Sequence, residues 1–516
     1  MGPSFMSLFL LVIGIHCLLK LTSYLITAHQ NRKFAKSHNC LPPRRLPSAF
    51  WGLPNWVHIM RAAKRGDVLE HIASRFPKYG NTWKGRILFV TSIGTIEPEN
   101  IKTILATGFK DFSLGSERHD NFYPLLGDGI FTLDGAGWEH SRANLRPQFS
   151  RDQISDIEAL EVHVQRLMNR LPEGDGKVAD LQPLFYCLTL DSATEFLFGE
   201  SVDSLLSPEL NPTGAVSGRG GEEQMSFARA FNVSQAYLIK RARLRGLYWM
   251  INPPRFRRSN AIVHALVDRY VDMALHPEKR TRKVSGKYVF LDAIAAETKD
   301  AKYLRDQCLN ILLAGRDTTA GLLGFTFWLL ARHPHVYQKL REEILSAFGT
   351  SRNGEGRRPS FSALKDVTYL RYVLNETLRL YPSVPLNGRT AVRNTILPRG
   401  GGEDGLSPVF IPKGQRVDYT CYGLHRRKDL YGEDADSFRP ERWAEGVGRG
   451  WEFLPFNGGP RICLGQQYAL TEAAYTVTRI LQKYARIEVA DTYTGPMMDL
   501  TLTMAPKKVL LKLWKA

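Results

Sequence analysis

The ten residues 456–465, Phe456-Asn457-Gly458-Gly459-Pro460-Arg461-Ile462-Cys463-Leu464-Gly465, constrain this chain more than any other stretch. One cysteine sits in a glycine-rich loop directly before residues 466–483, which read as a long amphipathic helix. Gly458 and Gly459 admit backbone angles that a Cβ resists, and Gly465 lets another body approach the backbone closely. A thiolate at the mouth of a helix gains from the positive end of the helix dipole and from free N–H donors. Arg461 adds a fixed positive charge nearby. The loop therefore suits the presentation of one sulfur as an anionic ligand or a nucleophile.

Three roles follow for Cys463. A buried structural thiol is the ordinary fate of a lone cysteine, but the spacing Phe-x-x-Gly-x-Arg-x-Cys-x-Gly argues against it. A nucleophile needs a histidine partner, and no cysteine-hydrolase signature surrounds this residue. An axial thiolate on haem iron fits best, because such a ligand pushes electron density onto the metal and favours O–O cleavage.

With Phe456, Gly459, Arg461, Cys463 and Gly465 in these places, the segment resembles the haem-binding signature of the cytochrome P-450 superfamily. The resemblance implies a mainly α fold with a smaller β-rich region. It also implies haem b (iron protoporphyrin IX), with Cys463 as the metal ligand and Phe456 and Arg461 beside the cofactor.

At 516 residues and 43 % hydrophobic, the chain can bury a large core. Lys+Arg 69 against Asp+Glu 51 leaves a formal charge of +18, yet no nucleic-acid-binding motif occurs. Such a balance favours anionic lipid headgroups and an acidic protein partner. The 6 cysteines contain no Cys-x-x-Cys pair, which excludes a disulfide framework or a zinc site and points to a reducing compartment.

Residues 5–26 are apolar except for His16, Lys20 and a few hydroxyls. They are long enough for one membrane-spanning helix, with Lys20 able to snorkel. A cleaved signal peptide would want a basic start, which residues 1–5 lack. Met6 likewise breaks an N-myristoylation motif. Arg32, Lys33 and Lys36 follow the span instead, placing the remainder on the cytosolic side. The expected organisation is a transmembrane signal anchor over 1–27, a stiff basic linker over 28–50 with Pro42, Pro43 and Pro47 around Arg44 and Arg45, and one catalytic domain over 51–516. Similarity to microsomal members of the family implies a single-pass protein of the endoplasmic reticulum membrane.

Residues 79–98 predict paired strands and 97–106 a helical start. Residues 108–134 show no clear period. The resemblance places them over the substrate pocket, so that Phe112, Phe122 and Phe131 become expected walls, although core residues would look the same. Trp138 and Arg142 stand at i and i+4 on one helix face, where an indole N–H and a guanidinium can serve one pair of carboxylates. They match the family's Trp-x-x-x-Arg, which holds the haem propionates. Residues 151–200 and 222–278 read as amphipathic helices, with a mobile loop over 204–223 and a basic connector over 279–287. Lys240, Arg241, Arg243 and Arg245 beside Leu247, Tyr248, Trp249 and Met250 suit either a membrane-facing edge or a solvated one.

Ala314-Gly315-Arg316-Asp317-Thr318-Thr319 lies within a helix that is apolar almost all round. A carboxylate there is costly unless it has a partner or a task. The segment resembles the family's oxygen-activation motif, which implies that Asp317 relays protons and Thr318 steadies the bound dioxygen. Ala314 in place of glutamate implies no ester link to haem. Glu376 and Arg379 form an i, i+3 pair, matching the family's Glu-x-x-Arg, and Arg442 is implied as the third member of a structural cluster behind the cysteine loop. Arg389 matches a propionate-binding arginine. Val384, Leu386 and Leu502, the last on the tip of a closing hairpin over 499–516, are implied to line the pocket with Ala314.

No flavin or nicotinamide fingerprint occurs, so electrons must come from a separate reductase, which the resemblance implies is an NADPH-dependent flavoprotein. The expected activity is that of a haem-thiolate monooxygenase acting on a small lipophilic substrate. Segments 314–320, 375–389 and 456–467 resemble the fungal n-alkane and fatty-acid hydroxylases, which implies terminal or near-terminal oxidation of long-chain alkanes, alcohols or fatty acids. A secondary metabolite (a terpenoid or polyketide) is the alternative substrate. A non-oxygenase haem protein is a further alternative, against which the Asp317–Thr318 pair speaks.

Overall fold

The chain is represented by a computed structural model that describes residues 5–150, 156–207, 226–279, 288–350, 357–492 and 495–516. Its longer helices are α1 (Phe5–Ser37), α2 (Leu53–Arg65), α3 (Ser116–Leu126), α4 (Gly135–Leu145), α5 (Ile157–Arg170), α6 (Leu181–Phe198), α7 (Phe227–Arg243), α8 (Pro254–Leu275), α9 (Ala301–Arg332), α10 (Pro334–Phe348), α11 (Thr368–Leu380) and α12 (Gln466–Lys483). The strands are β1 (Arg44–Arg45), β2 (Thr82–Ile87), β3 (Val90–Thr95), β4 (Phe112–Ser113), β5 (Lys177–Asp180), β6 (Leu386–Ala391), β7 (Thr395–Gly401), β8 (Ser407–Ile411), β9 (Arg416–Thr420), β10 (Tyr484–Val489), β11 (Met498–Leu500), β12 (Met504–Pro506) and β13 (Leu510–Lys515).

Helix α9 is the axis of the molecule. Asp300 caps its start by accepting the Tyr303 N–H at 3.1 Å. Its apolar residues face neighbours on every side, so it packs against α6, α8, α11 and α12 at once. The main core gathers Phe185, Leu323, Phe327, Leu340, Leu378 and Tyr475. At Gly321 a Cβ would stand 2.5 Å from the Met504 carbonyl, so only glycine lets β12 lie this close to α9.

A six-stranded mixed sheet, ordered β1-β2-β3-β9-β6-β4, forms the β-rich part. Its register places Trp83 opposite Gly94, Ile93 beside Val417 and Arg389 opposite Val417. Leu46, Phe76, Trp83, Ile93, Val417 and Tyr419 pack beneath it as a second core. The mainly helical fold with a smaller β region is the one expected.

The structure extends or corrects four expectations. The apolar N-terminal helix continues past residue 27, the bound of the expected anchor, to Ser37, because nothing in residues 28–37 breaks a helix. Its last turns touch the body: Asn394 Nδ2 donates to Asn31 Oδ1 at 2.8 Å, and the Phe34 and Phe410 rings lie 5.4 Å apart. The proline-flanked Arg44–Arg45 is not a free linker either, since it pairs in parallel with β2. Residues 108–134 contain an 11-residue helix, α3, whose mixed polarity and internal Pro124 hide its period. At the C-terminus the hairpin is β11 with β12, and β13 pairs with β10 and β5 instead. Residues 208–225 and 280–287, which hold most of the expected mobile loop and the basic connector, lie outside the described residues.

Helix α1 is long and apolar enough to cross a membrane, with a mean hydropathy of 2.0 in its best window and none of that window buried.

Candidate active site

The cysteine loop is tied to itself before it meets anything else. The Cys463 N–H donates to the Phe456 carbonyl at 3.0 Å, and the Ile462 N–H to the Gly459 carbonyl at 3.0 Å. Asn457, at φ +63°, turns the chain and accepts the Tyr419 hydroxyl at 2.9 Å. Gly459 has φ +67°, and a Cβ on it would stand 1.9 Å from the Leu105 carbonyl. Both facts demand glycine there. Phe456 packs on the main core. Gly465 then starts α12.

Cys463 keeps open surface although protein surrounds it, as a side chain lining an internal cleft does. Burial pushes its thiol above the usual cysteine value, while the Gly465 N–H and the Arg142 guanidinium oppose that push without overcoming it. The loop thus does not make a thiolate unaided; a metal bound at the sulfur would supply the missing positive charge.

Trp138 and Arg142 share one face of α4. The Trp138 indole is 5 % exposed and its Nε1–H has no partner among the described residues. Arg461 stacks over that indole at 4.3 Å, and Arg142 lies at 5.9 Å. Arg461 also donates to Asp134 Oδ1 at 2.8 Å and to the Leu133 carbonyl at 3.0 Å. Arg389, buried on β6, donates to Asn387 Oδ1 at 3.0 Å and to the Gly388 carbonyl at 2.8 Å. A fourth cation, Arg118 of α3, joins them through the Phe131 carbonyl at 3.1 Å. It lies outside every motif, and nothing in the sequence marks it.

These arginines strain against one another. Burial, then Arg389, then Arg416 bring the Arg118 guanidinium down to about 10. Burial, with Arg389, Arg118 and Arg142, brings Arg461 to about 9, against the single opposing carboxylate of Asp134. A surplus of guanidinium and an orphaned indole N–H, converging beside an open sulfur, fit a ligand carrying two carboxylates. Haem is such a ligand.

Along α9, Ile311, Ala314, Gly315 and Thr318 form one partly open stripe between buried neighbours. The Thr318 hydroxyl donates back to the Ala314 carbonyl at 2.6 Å, and Ser383 Oγ donates to the Thr318 carbonyl at 3.1 Å. Asp317 is buried. Its Oδ1 accepts Arg316 Nη1 at 3.1 Å, and the Gln235 side chain stands beside the carboxyl. Burial raises this carboxyl, with Arg316 opposing. The same Arg316 nitrogen donates to Asn232 Oδ1 at 2.6 Å, tying α9 to α7.

Residues 126–131 are fastened to α9. Asp306 accepts the Asp128 N–H at 2.9 Å, Asn310 donates to the Leu126 carbonyl at 3.0 Å, and Asn310 Oδ1 accepts the Phe131 N–H at 3.1 Å. Phe131 is therefore a half-buried residue at a clamped turn. Phe122 is buried in the core between α3 and α8, under the Arg118 guanidinium at 5.1 Å. Phe112 is not a pocket wall: it pairs with Ala391 across β4–β6 and packs in the core beneath the sheet. Val384 is exposed, Leu386 packs beside Phe325 and Tyr422, and Leu502 packs on the α3–α8 core.

Behind the loop, Glu376, Arg379 and Arg442 meet with no side chain reaching solvent. Arg379 forks onto both Glu376 oxygens at 2.9 Å, and Arg442 Nε reaches Oε1 at 2.9 Å. Trp443 Nε1 and the Arg439 N–H complete the carboxylate. Arg379 and Arg442 then hold the carbonyls of His425, Ala435 and Tyr431. His425 Nε2 accepts the Leu454 N–H at 2.9 Å, which carries the support to the cysteine loop.

A helical body threaded by one long central helix, with a cysteine in a glycine-rich loop and Arg142 and Arg461 near it, is the architecture of a haem-thiolate protein. Residues 47–513 match the cytochrome P450 family, and the chain belongs to it. It is similar to cytochrome P450 52A3-B of Candida maltosa (48 % identical over 495 residues, 94 % of this chain and 93 % of the relative). It is also similar to cytochrome P450 52A1 of Candida tropicalis (53 % over 423 residues, 81 % and 77 %) and to cytochrome P450 52A13 of Debaryomyces hansenii (49 % over 470 residues, 90 % and 89 %). The protein is thus a monooxygenase with haem b as its cofactor, fed with electrons from NADPH through a reductase.

Proposed function

We propose that this enzyme hydroxylates long-chain alkanes or fatty acids at or near the terminal carbon. The single observation that supports the reading most is the partly open stripe of Ile311, Ala314, Gly315 and Thr318 along α9, apolar but for one hydroxyl. An apolar surface broken by one hydroxyl suits an unbranched chain end.

Bound haem supplies the oxygen-activating chemistry. Cys463 would hold its iron, with Phe456 beside the cofactor. Arg118, Arg142, Arg389, Arg461 and Trp138 hold its two carboxylates by charge-assisted hydrogen bonds. Thr318 would present its hydroxyl to the reacting atoms, and Asp317, paired with Arg316, would relay protons from the α7 side. Ala314 would line the substrate pocket. Glu376, Arg379 and Arg442 touch no substrate; they keep the loop in register.

Helix α1 anchors the enzyme as a single-pass protein of the endoplasmic reticulum membrane, with residues 51–516 on the cytosolic side. A lipophilic substrate then arrives from the bilayer and a flavoprotein reductase docks from the cytosol. The test is twofold. The reduced, carbon-monoxide-treated enzyme shows the red-shifted Soret band of a thiolate complex, and Cys463→Ala loses it. Reconstituted with reductase and NADPH, the enzyme converts dodecane or lauric acid to terminal and near-terminal alcohols; turnover of terpenoids alone would move the substrate class and leave the chemistry standing.

A further inference from the structure

The end of α7 and the turn that follows it are tied to three other elements. Arg241 donates to the Asp120 and Asn121 carbonyls of α3 at 3.0 and 3.2 Å, and the Tyr248 hydroxyl donates to Asp120 Oδ2 at 2.9 Å. Arg243 donates to the Leu500 carbonyl of β11 at 3.1 Å. Arg245 reaches Asp418 Oδ2 of β9 only at 3.5 Å, the outer limit of a hydrogen bond. Its backbone has φ +51°, in the left-handed region that a residue with a Cβ rarely adopts. The turn thus holds one guanidinium in a strained place for a weak bond.

Asp418 already has a closer cation. Arg416, two residues before it on the same face of β9, donates from Nε to Asp418 Oδ1 at 2.8 Å. Gly388, opposite Asp418 on β6, makes room for this pair, since a Cβ there would stand 2.4 Å from Asp418 Oδ1 and 2.8 Å from Arg416 Nη2. Two guanidinium groups therefore share one carboxylate. Burial raises the Asp418 carboxyl, but Arg416 and then Arg245 outweigh it and hold it below its usual value, so it is ionised. Arg245 is the less compensated partner: burial and then Arg416 lower it, with Asp418 and Glu117 opposing. Among the described residues it makes no other hydrogen bond, and the Arg416 Nη groups make none.

These three side chains are surrounded by protein, yet Arg245 keeps 19 % of its surface, Arg416 21 % and Asp418 27 %, as groups lining a cleft do. A cavity of about 510 Å³ opens at Arg416, lined also by Thr91, Glu117, Thr390 and Lys413. Three cations (Arg245, Arg416 and Lys413) meet two carboxylates there (Asp418 and Glu117), and Arg118 acts on Arg416 from the arginines near Cys463. The face of β6 that carries Gly388 also carries Leu386, a residue expected to line the substrate pocket.

We propose that this cleft holds the head of the substrate: Arg245 and Arg416 bind the carboxylate of a long-chain fatty acid, which takes the place of Asp418 at Arg245. A guanidinium fork matches a carboxylate oxygen for oxygen, and the donors left open here are of that kind. Asp418 is the positioning residue, aligning both forks in the empty site. An acid held by its head presents its far end to the oxygen-activating centre, whereas an alkane or alcohol binds through its chain alone. The inference rests on the reading of the enzyme as a hydroxylase of long-chain alkanes or fatty acids, and selects the acids within it.

The test follows the Soret shift on substrate binding to the full-length holoenzyme, with dodecanoic acid and 1-dodecanol as probes. Arg245→Gln and Arg416→Gln each raise Kd for the acid about tenfold and leave that for the alcohol within about twofold. Asp418→Asn, which removes the competing carboxylate, tightens the acid about threefold and not the alcohol. With Arg245→Gln, KM for the acid rises while kcat is kept. A purely structural role would weaken both probes together, and that result overturns the proposal. So does an unchanged Kd for the acid in Arg245→Gln and Asp418→Asn, the two variants that decide should Arg416→Gln not fold. A wild-type enzyme that binds neither probe would bring down the substrate reading and the carboxylate site with it. One that binds both, with variants that do not tell them apart, removes the carboxylate site alone.

Discussion

Arg442 donates from Nε to Glu376 Oε1 at 2.9 Å, and neither side chain reaches solvent. The two residues are far apart in the chain, and the contact joins α11 to the segment that leads into the cysteine loop. Such a pair costs desolvation on both sides and repays it only when every polar atom is satisfied. Here Glu376 accepts from five groups, counting the two Arg379 nitrogens, Arg442, Trp443 and the Arg439 backbone.

Breaking that pair from one side leaves a buried charge. Arg442→Met is expected to destabilise the fold by about 3–5 kcal/mol. Urea unfolding of the reduced carbon-monoxide complex, followed at its Soret band, reads the loss. Activity per correctly loaded haem should change little, because the cluster lies behind the loop.

His425 imposes a pH dependence. It is fully buried, and burial first, then Arg379, lower its imidazole to about 3, so the folded protein holds it neutral while Nε2 accepts the Leu454 N–H. The unfolded chain binds the proton near 6.5, so below that pH the unfolded state holds more protons than the native one. Stability is therefore complete above about 6.5 and falls by up to about 1.4 kcal/mol per pH unit toward 3. His425→Gln should flatten this slope in acid unfolding curves; an unchanged slope would assign it to other groups.

Arg118 is expected to matter to cofactor retention and not to loop structure. Arg118→Met removes one charge-assisted donor and should speed haem loss to apomyoglobin about tenfold. Lysine at the same place should restore part of the retention.

Gly459→Ala meets the Leu105 carbonyl at 1.9 Å and a positive φ together. The loop must move, and the expected result is a haem-poor protein with normal helix content by circular dichroism. Gly14→Ala, where a Cβ meets nothing within 4 Å, serves as the neutral comparison.

Much of the site was legible in the chain because its pairs are local. Trp138 with Arg142, Glu376 with Arg379, and Asp317 with Thr318 fall into place from helix geometry alone, and the cysteine loop is set by its own glycines and turns. The family, the haem-thiolate chemistry and the mainly helical fold follow from those stretches. What lay beyond reach depends on contacts between distant segments. Phe112 and Phe131 look alike in sequence, and only the pairing of β4 with β6 puts the first in the sheet core. Arg118 joins Arg389 and Arg461 because α3 folds over β6. The residues near Arg44 pair with β2 for the same reason. Burial, hence the protonation of Cys463 and His425, is a property of that packing, since it is the surrounding protein that sets how much a charge costs.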